Sequence, residues 1–299
     1  MNVEFGRLAA ARKIMGVPAS TGSLAQDRAN AERWISRFGS PVEPAGTSVE
    51  AGQGSVILRP AQQDAAGHPA NRWVFYIHGG GMVYYSTAVF RSFLAALANA
   101  MQTPVEAFDY LKAPEHTVEQ SVELLAEHIA ARYDTLAGRQ LVLAGDSVGA
   151  LLALYFSLRV LPGAFSRIVL IYPVLDLETE RESYQAFGEG YFLDRNTMRV
   201  FKSILSPYFS ERDFDPFRLT DKDLAQLPAC SIVTSGCDVL RDEGLAWIEQ
   251  LADRSVEVRH QHFPDLPHDF CLYVEKLHSA RSAVAEIAKV AFPFEEVQS

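Results

Sequence analysis

The chain has no long apolar run. None of its 299 residues falls in a stretch that approaches the roughly 20 consecutive apolar residues needed to span a bilayer, so any lipid contact would be peripheral. Positive charge is also in short supply. Lys and Arg number 27 against 37 Asp and Glu, for a formal net charge of −10, and no basic stripe is visible. Nucleic acid and anionic membrane surfaces reward clustered Lys and Arg, and both are excluded as expected partners. Cysteine is scarce and odd in number, at Cys230, Cys237 and Cys271. The opening Met1-Asn2-Val3-Glu4-Phe5 lacks the basic region and apolar core of a secretory leader. Together these features make a reducing cytoplasm the expected location. Internal repeats and low-complexity tracts are missing too.

What is present is apolar bulk: 48% of the residues are hydrophobic, enough for a large core. From Trp73 onward, short apolar runs alternate with amphipathic stretches. The runs Trp73 to Ile77, Thr103 to Phe108, Gln140 to Ala144, Ile168 to Tyr172, Ala229 to Thr234 and Val256 to Phe263 read as strands. Ala88 to Met101, Val118 to Tyr133, Ala150 to Leu161, Glu243 to Asp253 and His278 to Val290 read as helices. Such alternation predicts an α/β fold, a mostly parallel central sheet flanked by helices. Ser55 to Arg59 reads as an early edge strand ended by Pro60. The first forty residues carry helical periodicity, at Leu8, Ile14 and Ala31 to Phe38, broken by Gly16, Pro18 and Gly22. Between Asp176 and Leu227 no strand pattern is visible, and Phe187, Tyr191, Phe192, Phe201, Tyr208, Phe209, Phe214 and Phe217 crowd into the segment. A long insertion of this kind is expected to be functional. We expect one domain over 1–299, with a helical cap formed by about 1–45 and 177–226. Most of the aromatics should pack the insertion on the body, leaving one or two to face substrate.

Two glycine-rich turns carry the chemistry. Gly145-Asp146-Ser147-Val148-Gly149 lies between a strand pattern and a helix pattern. Glycines on both sides let a strained turn pack closely and lift the Ser147 hydroxyl clear of the sheet. His78-Gly79-Gly80-Gly81 follows the strand Trp73 to Ile77. A triple glycine there leaves backbone N–H groups unshielded, able to converge on a developing oxyanion. The pair matches the site of an α/β-hydrolase, in which the chain order is serine, acid, histidine.

That order leaves four histidines beyond Ser147. His260 and His262 share one face of a strand, His278 falls in a helix, and His268 sits in the loop after Phe263-Pro264-Asp265-Leu266-Pro267. His268 is the expected base. Asp238 follows the strand Ala229 to Thr234 at its carboxyl end and is the expected orienting acid. Asp242 and Glu243 read instead as caps of the next helix, while Asp265 and Asp269 flank His268 too closely to orient it.

With these residues assembled, the chain resembles the hormone-sensitive-lipase-like branch of the α/β-hydrolases, over roughly 55–277. The likeness includes Tyr76 to Gly81, Asp109-Tyr110, Ala113 to His116, the 145–149 elbow, Tyr172-Pro173, Gly190 to Leu193, Asp238 to Gly244 and His268-Asp269-Phe270. The resemblance implies Ser147 as nucleophile, Asp238 as acid and His268 as base, with oxyanion N–H groups from Gly80, Gly81 and Val148. It implies that His78 braces the glycine loop. Tyr84, Tyr85, Tyr191 and Phe192 are the expected substrate contacts. The departures concern substrate: Val148 replaces the usual alanine and should crowd the acyl pocket, and Met82-Val83-Tyr84-Tyr85 follows the glycines.

The expected activity is that of a serine carboxylesterase on small esters with short or medium acyl groups, needing no metal or organic cofactor. Two rival readings stay open: an acyltransferase or lyase/dehydratase on the same triad, and a non-catalytic small-molecule receptor. An apolar edge strand or an amphipathic helix leaves a homodimer open as well.

Overall fold

The computed structural model describes residues 1–15, 21–38, 47–52, 54–60 and 71–292. The breaks expected at Gly16 and Pro18, the end of the cap segment at 39–45 and the Gly/Pro-rich 61–70 lie outside the described residues.

Eight strands form one sheet. They are β1 (Thr47–Ala51), β2 (Ser55–Pro60), β3 (Arg72–Ile77), β4 (Val105–Phe108), β5 (Gln140–Asp146), β6 (Arg167–Ile171), β7 (Ala229–Cys237) and β8 (Val258–Pro267). Their order is β1-β2-β4-β3-β5-β6-β7-β8, antiparallel at the first two pairings and parallel beyond. The helices α3 (Thr87–Met101), α4 (Val118–Thr135), α5 (Val148–Tyr155) and α9 (Arg241–Asp253) lie between strands, as connections between parallel strands require, and α10 (His278–Ala291) follows the last one. The period of two along a strand explains the two cores. In β3, Trp73, Phe75 and Ile77 join the core that holds Leu125 of α4 and Trp247 of α9. Val74 and Tyr76 face the core that holds Phe93 of α3 and Ile287 of α10.

Two expectations are corrected. Ser55–Pro60 is not the edge, because β1 pairs outside it, with Thr47 opposite Pro60 and Ala51 opposite Val56. β1 is half exposed and carries only Val49 among larger apolar residues, so its pattern was too weak to read. Asp242 and Glu243 lie in the first turn of α9 but do not cap it. Glu243 is fully buried and accepts hydrogen bonds from the backbone N–H groups of Leu175 (2.8 Å) and Asp176 (3.3 Å) and from the Tyr184 hydroxyl (3.3 Å). Asp242 accepts from the Ser183 N–H at 2.7 Å. Both carboxylates therefore bind the start of the insertion to the first turn of α9.

The insertion is helical, with α6 (Ser183–Ala186), α7 (Arg195–Glu211), a 3-10 turn at Pro216–Arg218 and α8 (Asp221–Gln226). Its aromatics divide as expected. Tyr208, Phe209 and Phe214 meet the Tyr155 ring of α5 edge-on, at 5.8, 5.3 and 5.0 Å, and anchor the insertion. Two helices precede the sheet: α1 (Val3–Met15) and α2 (Leu24–Phe38). Phe5 of α1 packs edge-on against Phe192 of the insertion and Tyr273 of the body. Among the described residues, no helix is long and apolar enough to cross a membrane.

Candidate active site

Ser147 stands between β5 and α5 with φ +54°, a left-handed conformation that a non-glycine residue holds only under constraint. The constraints are backbone hydrogen bonds: its N–H donates to Ile171 at 2.9 Å, and its carbonyl accepts from Val174 at 3.2 Å. The flanking glycines are required sterically. A Cβ on Gly149 would collide with the Ile77 and His78 carbonyls, and one on Gly145 with the Gly149 carbonyl. The elbow is thus wedged against the carboxyl end of β3, and Ser147 opens into a cavity of about 300 Å³ that His268 and Gly80 also line.

His268 lies just after β8, 2% exposed, and its Nδ1 is 2.7 Å from Asp238 Oδ2. That contact makes Nδ1 the donor and leaves Nε2 as the free ring position. Asp238 follows β7, and its Oδ1 accepts from the Leu240 N–H at 2.9 Å, which fixes the carboxylate. Burial alone would lower the His268 pKa, but the adjacent Asp238 carboxylate reverses the effect and holds it at about 9. Beneath the imidazole lies the Tyr172 ring, 4.5 Å away. Asp269 is not remote either: its Oδ1 is 3.8 Å from His268 Nε2, on the cavity side.

The glycine loop is oriented through its carbonyls. The Gly79 carbonyl accepts from Tyr110 Oη at 2.8 Å and lies 2.7 Å from His78 Nδ1, whose ring stacks on Tyr110 at 4.3 Å. A trans peptide points its N–H opposite its carbonyl, so this grip aims the Gly80 N–H the other way. The Gly80 carbonyl accepts from the Val83 and Tyr84 N–H groups at 3.0 and 2.9 Å, which sets the Gly81 N–H by the same geometry.

One residue that sequence reasoning passed over ties the two turns together. Asp146, the variable position inside the elbow, is fully buried; its Oδ1 accepts from Tyr76 Oη at 2.7 Å and from the Gly79 N–H at 2.8 Å. Burial raises its pKa to about 7 in spite of both hydrogen bonds. Nothing in a Gly-x-Ser-x-Gly pattern reveals that x points inward.

Of the expected substrate contacts, Tyr84, Tyr85 and Phe192 line the cavity. Tyr191 does not. Its ring packs edge-on against Phe187 at 5.1 Å. Phe201 of α7 takes the vacant wall, pressed against Gly81, where a Cβ would collide with its ring. Val148 does not crowd the cavity: its side chain is fully buried in the core beneath the elbow, and only its backbone belongs to the turn. The remaining wall comes from α1 and α2, which supply Arg12, Asp27 and Trp34. His260 and His262 stand away from the cavity, both within 2.8 Å of Thr234 Oγ1.

Comparison with known proteins agrees with this architecture. Residues 74–272 match the α/β hydrolase fold family. An esterase of Gibberella moniliformis is 33% identical over 238 residues, 75% of this chain and 74% of that protein. An ethyl acetate hydrolase of Pseudomonas putida is 30% identical over 229 residues, 72% of this chain and 70% of that one. A relative from Acanthamoeba polyphaga mimivirus is longer, and the match, 29% identical across 67% of this chain, spans 61% of its length. The crystal structure of a thermostable esterase from Pseudomonas putida superposes with a TM-score of 0.81 at 22% identity, covering 97% of both chains, and shares the fold. With the elbow, the glycine loop and the 74–272 match in register, the chain belongs to the hormone-sensitive-lipase-like branch of the α/β-hydrolase-fold family.

Proposed function

We propose that this protein is a serine carboxylesterase for small esters with short or medium acyl groups. The observation that carries the reading is the convergence of Ser147, His268 and the Gly80 loop on one cavity, with Asp238 held 2.7 Å from the far nitrogen of His268. Ser147 Oγ attacks the ester carbonyl while His268 Nε2 takes its proton; Asp238 holds the tautomer and stabilises the imidazolium. The backbone N–H groups of Gly80, Gly81 and Val148 receive the oxyanion, each worth about 3 kcal/mol at the transition state. His268 then protonates the departing alcohol, and water clears the acyl-enzyme by the same steps reversed.

The substrate range rests on size. A cavity of about 300 Å³ is at the small end of ligand pockets. Within this reading α1, α2 and the 177–226 insertion act as a cap, since all three line the same cavity. Free, buried Cys230, Cys237 and Cys271 fit a cytoplasmic location.

The test is hydrolysis of p-nitrophenyl esters from two to twelve acyl carbons, wild type beside Ser147→Ala. Turnover that peaks at short chains and disappears with the serine supports the proposal. Full activity in purified Ser147→Ala protein refutes it.

A further inference from the structure

The cavity's walls are chemically lopsided. Asp27, Asp194 and Asp269 line it, whereas among its described lining residues Arg12 is the only Lys or Arg. The rest of the wall is unusually aromatic: Trp34, Tyr84, Tyr85, Phe192, Phe201 and Tyr273. Neutral ester groups need no such field, and a chain of net charge −10 adds to it at long range.

Arg12 offsets only part of this field, being one guanidinium against three carboxylates. Its Nη1 donates to the Phe192 carbonyl at 3.2 Å and its guanidinium lies 5.4 Å from the Phe192 ring centre, so it is engaged with the wall. The phenols report the local balance. Burial raises the pKa of Tyr85, and the next largest influence is Asp269, ahead of Arg12. Tyr273 behaves identically, with burial first, then Asp269, then Arg12 in opposition. At Tyr84, burial is followed by Asp27, which outweighs Arg28. Arg28 itself is spent elsewhere, on the Val83 and Ala113 carbonyls and on Glu115. With His268 neutral, as the reaction requires, one of two carboxylates, Asp269 or Asp27, outweighs the opposing arginine at each of these phenols.

Aromatic rings and carboxylates around one cavity are the chemistry that holds an organic ammonium group, through ring quadrupoles and unit charges together. We propose that the substrate is a cationic ester, carrying a quaternary or protonated amine in its acyl or alcohol part, and that the lining carboxylates Asp27, Asp194 and Asp269 select it. This rests on the esterase reading and narrows its substrate class.

Isosteric pairs test it. On the alcohol side, acetylthiocholine is compared with 3,3-dimethylbutyl thioacetate; on the acyl side, the p-nitrophenyl ester of 4-(trimethylammonio)butanoate is compared with that of 5,5-dimethylhexanoate. Within each pair, a trimethylammonium group replaces a tert-butyl group of the same shape. The expected result is a kcat/KM about tenfold or more higher for the cationic member of at least one pair. That ratio should fall as ionic strength rises. Asp27→Asn and Asp194→Asn should each reduce it several-fold.

Equal or better turnover of the neutral member in both pairs overturns the inference. So does a cation preference indifferent to salt and to both substitutions, or faster turnover of the anionic p-nitrophenyl glutarate than of the neutral ester, which would assign the cavity to Arg12. Turnover of p-nitrophenyl acetate in the same preparation separates the two levels: its presence without cation preference sinks only the inference, while silence on every ester sinks the esterase reading.

Discussion

The Gly79 N–H donates to Asp146 Oδ1 at 2.8 Å, so the residue before the candidate nucleophile holds the first glycine of the 79–81 loop. The two turns, 67 residues apart in sequence, are tied directly together by this bond. The same oxygen accepts from Tyr76 Oη, and the whole group is shut away from solvent.

A carboxyl held at about 7 has a definite consequence for stability. The folded protein keeps the Asp146 proton up to about pH 7, whereas an unfolded aspartate releases it near pH 3.9. Folding therefore takes up a proton across this interval, and stability falls as pH rises from about 4 to 7. Glu243, also raised to about 7 chiefly by burial, acts in the same direction. Urea unfolding of Asp146→Asn across pH 4–8 should show a shallower decline than wild type, with esterase activity reduced because the amide nitrogen lacks a partner. An unchanged slope would place the pH dependence elsewhere.

His268 supplies an opposite pair of effects. A base must be neutral to accept a proton, so a pKa of about 9 puts the rising limb of kcat/KM on the alkaline side of the ordinary histidine value. Stability carries the other sign. The raised pKa contributes stability in full below about pH 6.5, and that contribution disappears as pH rises through about 9. Asp238→Asn leaves burial as the dominant influence, so the limb should move below pH 7 while kcat falls about 10³- to 10⁴-fold. A pH–rate profile of both proteins decides it; an unmoved limb would mean that another group sets it.

The glycine loop and the insertion are coupled at Gly81 and Phe201. Gly81 has φ +64°, and a Cβ there would drive into the Phe201 ring. Gly81→Ala should cost about 2–3 kcal/mol in kcat/KM through displaced oxyanion donors. Adding Phe201→Ala removes the collision but not the left-handed strain, so it should restore part of the loss. A double-mutant cycle with no coupling would break the link.

Arg28 joins α2 to the same loop. Its Nε donates to the Val83 carbonyl at 2.7 Å, one Nη2 bond reaches the Ala113 carbonyl at 2.6 Å, and both Nη atoms meet the Glu115 carboxylate at 2.8 Å. Lysine keeps the charge but not the fork. Arg28→Lys should lower stability by about 1–2 kcal/mol, mostly from the two orphaned carbonyls, because the exposed ion pair itself is worth little. With α2 loosened, KM should rise several-fold and kcat change less. Steady-state kinetics beside thermal melting would measure both, and an unchanged KM would mean that α2 does not shape substrate binding.

Much of this was legible in the chain. The strand runs from Trp73 onward matched β3 to β8 within a few residues: β3 to β7 are buried on both faces and read as nearly continuous apolar runs, whereas β8, a partly exposed strand at the sheet edge, was legible from alternation alone. The elbow and glycine loop were legible because glycines there answer a local demand, close backbone approach, that no other residue meets. β1 was not: half exposed, it is held by pairing to β2, and its own composition carries little signal.

The sequence by itself determined the α/β alternation, the strained serine turn and the order of Ser147, Asp238 and His268, since each depends on neighbours a few residues away. Only the tertiary structure decided that Asp146 and Glu243 turn inward as buried struts, that Val148 packs into the core and Tyr191 onto Phe187, and that α1 and α2 close the cavity with Arg12, Asp27 and Trp34. These facts depend on which side of a turn or helix meets a distant element. A side chain's direction is fixed by packing across the fold, and one strand or helix read alone does not contain it.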